Sequence, residues 1–205
     1  MTLSPLQLDA LTEIGNIGAG HAATVLSQML NERINMSVPR TSMIPLSQVS
    51  EIVGGAEAFV VGVYIRVYGD APGSILYIFP RHSAVQFVNI LVGQHRGPAN
   101  LLREFEQSAL KEIGNILTGA FLHALASFTG LTMLPSVPAF AMDMAGAILN
   151  TVLLETETVA NMAILIETEF TAKNQESRGQ FFLLPDIGTL EVLLNAIGVD
   201  KGCRR

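Results

Sequence analysis

The pentapeptide Glu13-Ile14-Gly15-Asn16-Ile17 returns letter for letter as Glu112-Ile113-Gly114-Asn115-Ile116, 99 positions later. The same offset pairs Asp9 with Ser108, Leu11 with Leu110, Gly20 with Gly119 and Pro39 with Pro138. Farther along, Pro80 and Gly93 find counterparts at Pro185 and Gly198. There the offset has grown by six, as an insertion in the middle of the second half would produce. A period near half of 205 residues leaves room for only two copies. Two copies are too few for a solenoid and bury their apolar faces against each other instead, about a pseudo-twofold axis. The reading is a single domain over residues 1–205, with repeat halves of about 4–98 and 103–200.

The same order of elements is expected in each half. Ser4 followed by Pro5 marks a helix start, and the spacing Leu8, Leu11, Ile14, then Val25 and Met29 carries that helix to about Leu30. Its counterpart runs from near Arg103 through Phe105, Ala109, Ile113, Ile116, Ala120, Ala124 and Phe128, and stops at Gly130. After each comes a strand-like stretch (34–43 and 132–141), then a shorter helix (46–53 and 142–154). A hairpin follows, with arms at 58–68 and 74–79 in the first half. In the second it runs from about 160 to 170, through a polar loop at 171–179, to Leu184. A last helix closes each half at Gly93 and Gly198. The order α-β-α-β-β-α, twice over, predicts an α+β fold with two long helices packed on a largely antiparallel sheet.

Charge and composition exclude several functions. Twelve Lys plus Arg against eighteen Asp plus Glu give a net charge of −6, with the basic residues scattered, so nucleic acid lacks the footprint it needs. No apolar run reaches the roughly 18 residues of a membrane span, and the N-terminal stretch lacks the features of a secretion signal. A cytoplasmic location without membrane insertion is the expectation. Cys203 is the one cysteine, which rules out a disulfide framework.

On a helix, Asp9, Glu13, Asn16 and Gly20 share one face, and Ser108, Glu112, Asn115 and Gly119 share the matching one. Glycine next to asparagine inside a helix costs on the order of 1 to 2 kcal/mol relative to alanine, and the chain does it twice. Such repeated violations mark functional positions or close helix packing on the glycine. Glu13, Asn16, Glu112 and Asn115 are therefore the candidate catalytic residues. A carboxamide does not titrate, so it is no general base, but it can hold a water molecule in line with a bond. Glutamate supplies a charge anchor. Lacking a nucleophile, a metal cluster or a phosphate-cradling loop, each pair is an incomplete site. Phosphoryl transfer suits it, since that chemistry asks mainly for positioning and charge neutralisation.

Asp9-x3-Glu13-x2-Asn16-x22-Pro39 and Ser108-x3-Glu112-x2-Asn115-x22-Pro138 both resemble the signature of the CheC/CheX/FliY phosphatases of bacterial chemotaxis. Two motifs in a chain of this length resemble the CheC branch, because the CheX branch carries one and the FliY branch adds a domain. The resemblance implies a protein phosphatase that hydrolyses the aspartyl phosphate of the response regulator CheY. Asn16 and Asn115 would orient the attacking water, and Glu13 and Glu112 would engage the regulator's active-site lysine. It implies no cofactor of the chain's own, with Mg2+ carried by the phosphorylated CheY. Asp9 and Ser108 are read as supporting helix geometry or local hydrogen bonding, Pro39 and Pro138 as fixing the entry into a strand, and His21 as a surface or packing residue.

The resemblance also implies partnership with the receptor deamidase CheD. The local candidate for that contact is Ala139 to Gly146, with Met142, Asp143 and Met144 at its centre, opposed by the reading of a buried amphipathic helix. Two alternatives to catalysis stay open. The chain could be a non-catalytic adaptor acting mainly through CheD, or both Glu/Asn pairs could simply pack helices together. Burial of Glu13 and Glu112 separates the last from the rest.

Overall fold

The computed structural model describes residues 3–92, 102–155, 161–172 and 175–198. In chain order the elements are α1 (Pro5–Leu30), β1 (Ile34–Pro45), α2 (Val49–Ile52), β2 (Phe59–Gly69), β3 (Gly73–Pro80) and α3 (Arg81–Val92). The second half follows with α4 (Glu104–Thr129), β4 (Met133–Pro135), β5 (Ala139–Met144), α5 (Ala145–Glu155), β6 (Met162–Ala172), β7 (Gln175–Pro185) and α6 (Thr189–Ala196). Gly93 and Cys203 fall outside the described residues.

Both long helices start and stop by local chemistry. At α1 the Ser4 hydroxyl accepts from the Gln7 N–H at 3.3 Å, and Gln7 Oε1 accepts from the Ser4 N–H at 2.9 Å, with Pro5 in the first turn. At α4 the Glu106 carboxylate accepts from the Arg103 N–H at 2.6 Å. Asn31 (φ 49°) and Gly130 (φ 70°) end them in left-handed turns.

The strands form one antiparallel sheet in the order β1-β6-β7-β3-β2, with β4 and β5 both along the outer side of β2. Read from either edge the order is the same when β1 is matched with β4 and β5, β2 with β6, and β3 with β7. Each half therefore lays its first strand against the hairpin of the other half, and the sheet runs unbroken through both. Its two faces are buried by different helices. Ile75, Tyr77 and Phe79 of β3 point into the core under α1 and α4, which also takes Leu11, Ile14, Ile113 and Phe121. Leu76 and Ile78 point the other way, into a smaller core with Val49, Ile148 and Val152 from α2 and α5. Burial on both faces is why β3 reads as an almost continuous apolar run instead of an alternating one.

Two expectations are corrected. Residues 142–144 are not helical: Ala139–Met144 is an edge strand paired with Phe59–Tyr64, and the helix begins only at Ala145. Nor is 171–179 a long loop, because the ladder between β6 and β7 continues to Ala172 and Gln175. No helix among the described residues is long and apolar enough to cross a membrane.

Candidate functional site

The two long helices lie against each other on one face of the sheet. Where Gly18 faces α4, a side chain on it would begin 2.9 Å from the Phe121 Cα, so only glycine lets the backbones come this near. The first Ile and the Gly of the repeated pentapeptide pack each helix onto the sheet, with Gly15 against Val38 of β1 and Gly114 against Val63 of β2. Ile14 and Ile113 are buried, and a Cβ on Gly114 would lie 2.8 Å from Val63 Cγ1. The polar members behave differently. Glu13 and Glu112 are exposed, Asn16 and Asn115 half-buried, and the face continues into exposed Gly20 and Gly119. A helix-packing role for the glutamates is thereby excluded. Asp9 and Ser108 are exposed as well, and among the described residues neither makes a side-chain hydrogen bond, so of the two roles expected for them local hydrogen bonding is not seen.

The two asparagines differ. Asn16 Nδ2 donates to the carbonyls of Thr12 (3.1 Å) and Val38 (3.0 Å), while its Oδ1 accepts from the Val38 N–H at 2.9 Å. This geometry explains the spacing to Pro39. Between Ser37 and Arg40 the pairing of β1 with β6 slips by one residue, a bulge that leaves the backbone of Val38 without a partner strand. Val38 is only 2% exposed, so its N–H and C=O need partners, and the Asn16 amide supplies both. Pro39 has no N–H to strand and sits within this edge strand, not at its entry as expected.

The second half carries the same one-residue slip, since Val67 pairs with Pro135 but Tyr64 with Ala139. Here a serine takes over. Ser136 Oγ accepts from the Arg66 N–H (3.0 Å) and donates to the Val137 carbonyl (3.0 Å), and the Ser136 N–H donates to the Arg66 carbonyl. Val137, the counterpart of Val38, turns outward and is 88% exposed. Asn115 is left with no side-chain hydrogen bond among the described residues. Pro138, unlike Pro39, does stand directly before a strand.

One turn beyond Asn115, buried Thr118 and Tyr77 share a hydrogen bond of 3.1 Å that ties α4 to β3. Burial pushes the Tyr77 phenol well above its ordinary pKa and so keeps it protonated. Under the Ser136 loop, the Arg66 guanidinium makes a bidentate pair with Asp186, including Nη1 to Oδ1 at 2.8 Å, and that hydrogen bond raises the Arg66 pKa. Val38, Ser136, Thr118 and Tyr77 were not singled out from the sequence. Only the fixed distance from each Asn to a proline pointed toward the first two. His21 is exposed, with its ring centre 5.9 Å from that of His123 on α4.

The profile of the CheC-like family matches residues 6–43 and 105–142, two segments that hold both motifs from the glutamates to the distant prolines. CheY-P phosphatase CheC of Bacillus subtilis (strain 168) is 39% identical over 196 residues, covering 94% of each chain. The chain belongs to the CheC-like family. The flagellar motor switch phosphatase FliY of the same organism is 30% identical over 119 residues, 58% of this chain and 31% of that protein. Among solved structures, Thermotoga maritima FliY superposes with a TM-score of 0.76 at 20% identity, over 97% of this chain and 99% of that one, a likeness of fold.

Exposed Asp143 and Met144 lie on edge strand β5 beside Met142, which is half-buried against the core under α1 and α4, with Asp143 Oδ1 accepting from the Met144 N–H at 2.7 Å. On the face of the sheet that α5 covers, a groove of about 220 Å³ opens between β5 and α5, lined by Phe140, Asp143, Ile148 and Thr151 among others.

Proposed function

We propose that the chain hydrolyses the aspartyl phosphate of a CheY-type response regulator, with each Glu/Asn pair docking as half of a shared site. The observation that carries this reading is an exposed glutamate beside a carboxamide, held on a rigid helix face with no nucleophile of its own. The regulator contributes the phosphoaspartate, the Mg2+ and a lysine for Glu13 or Glu112 to engage. The asparagine oxygen accepts a hydrogen bond from the attacking water and its N–H steadies a phosphoryl oxygen. Water bonds to phosphorus, the aspartyl oxygen leaves, and inorganic phosphate is released.

The two sites are unequal on this reading. Both N–H groups of Asn16 are already donated and its oxygen already accepts, whereas among the described residues nothing engages the amide of Asn115. Asn115 with Glu112 is the stronger site. Asn115→Ala should cost at least ten-fold more of the acceleration of CheY-phosphate hydrolysis than Asn16→Ala, and the reverse order would refute the ranking.

A second reading is favoured by exposed Asp143 and Met144 on the open edge of β5: this edge is the surface for CheD, so the chain also acts as a regulatory partner. If Asp143→Lys binds CheD as tightly as the parent chain, that surface is wrong. A purely adaptor role, without catalysis, would show as CheD binding with no hydrolysis by the parent chain.

A further inference from the structure

Two large apolar side chains stand in water on the motif helices where neither capping nor packing asks for them. Leu6 is 65% exposed and Phe105 is 69% exposed. They occupy the same place in the two helices, the second position of α1 and of α4, each seven residues before its glutamate. Seven residues are close to two full turns, so Leu6 lies within about 20° of Glu13 around the helix and roughly 10 Å below it. Phe105 stands in the same relation to Glu112. Each face therefore reads, from the helix start upward, as an apolar anchor, a short polar residue (Asp9 or Ser108), the glutamate, the asparagine and a bare glycine.

An apolar side chain in the first turn of a helix gains nothing from the capping hydrogen bonds, which run through Ser4 and Gln7 or Arg103 and Glu106. Exposed single hydrophobic residues are common and by themselves mean little. Here the same exposure recurs at the same register of two helices, in line with the same two polar residues. The residue type is not copied, since one is leucine and the other phenylalanine. What is kept is bulk, apolarity and direction, as expected of a side chain that fills a shallow hollow on a partner and not of one that does chemistry.

The geometry points to Leu6 and Phe105 as the apolar anchors by which each half-site seats the phosphorylated response-regulator domain. This rests on the phosphatase reading above and names the contact that gives the site its grip. The regulator places its phosphoaspartate against Asn16 or Asn115, and about 15 Å farther along the helix it covers the leucine or phenylalanine with apolar surface of its own. The anchors are positioning residues. They lie too far from the asparagines to touch the reacting atoms, and their removal weakens binding without changing the step that follows it.

The test compares the parent chain with Leu6→Ser/Phe105→Ser and with Ile187→Ser, a control at another exposed apolar residue (74% exposed) off these faces. Hydrolysis of labelled CheY-phosphate is followed over a range of regulator concentrations, with light scattering to record the size of each chain. The double variant should raise KM ten-fold or more with kcat changed less than two-fold, and Ile187→Ser should leave both values alone. Unchanged KM in the double variant overturns the inference while the phosphatase reading stands. A drop in particle size with no change in KM overturns it too, by giving the anchors to a second copy of the chain. No hydrolysis by the parent chain overturns the phosphatase reading, and with it the occupant named here.

Discussion

Replacing each asparagine by alanine should separate stability from catalysis in opposite directions. Asn16→Ala removes the amide that holds the N–H and C=O of Val38, a residue 2% exposed inside a bulge where no strand can take its place. Stranding buried backbone groups costs about 1 to 3 kcal/mol, and alanine returns roughly half a kcal/mol of helix propensity. The net loss should be on the order of 2 kcal/mol. For a chain of this size that is a fall of roughly 4 to 8 °C in Tm. Asn115→Ala breaks no hydrogen bond among the described residues, so its stability should stay within about 0.5 kcal/mol of the parent and lean toward stabilisation. Urea denaturation followed by far-UV circular dichroism, with all three chains fitted to one slope, gives both values. If the two variants unfold at the same denaturant concentration, the amide of Asn16 does not hold the bulge and the contrast between the sites is mistaken.

Two further outcomes follow from the packing. Gly119 has open space where a side chain would begin, so Gly119→Ala should stabilise the chain by about 0.5 to 1 kcal/mol, whereas Gly114→Ala should destabilise it because of the 2.8 Å approach to Val63; thermal melts of the two read the difference. Tyr77→Phe leaves the Thr118 hydroxyl buried and unpaired and should cost about 1 to 2 kcal/mol. Adding Thr118→Val should recover most of it, and a double-mutant cycle in urea measures that recovery.

Much of the fold could be read from local signals. The Ser4-Pro5 start and the Gly130 stop are chemistry carried by the residues themselves, and the apolar spacing placed the other two ends near Leu30 and Arg103, so both long helices were legible to within a residue or two. The segment around Met142 to Met144 was not. Ala-Phe-Ala-Met-Asp-Met suits a short strand or the start of a helix equally well, and what decides is the non-local ladder with Phe59–Tyr64. The hairpin at 171–179 failed for a related reason. Its polar residues resemble a loop, but pairing already begun by the apolar arms of β6 and β7 carries on through them. At the site, repetition alone exposed the four polar residues. The 22-residue interval from Asn16 to the residue before Pro39 looked like a signature without a mechanism. Its meaning required knowing that β1 bulges at Val38, and that Ser136 does the corresponding work in the second half while Asn115 stays open.

The central claim is that the carboxamides of Asn16 and Asn115 perform the hydrolysis on a phosphorylated partner. It is tested most directly by the decay of labelled CheY-phosphate with the parent chain and with Asn16→Ala/Asn115→Ala, each shown to be folded by circular dichroism at the assay temperature. The parent chain should accelerate the decay, and the double variant should leave it at the regulator's spontaneous rate. A folded double variant that still accelerates hydrolysis as the parent does would contradict the account.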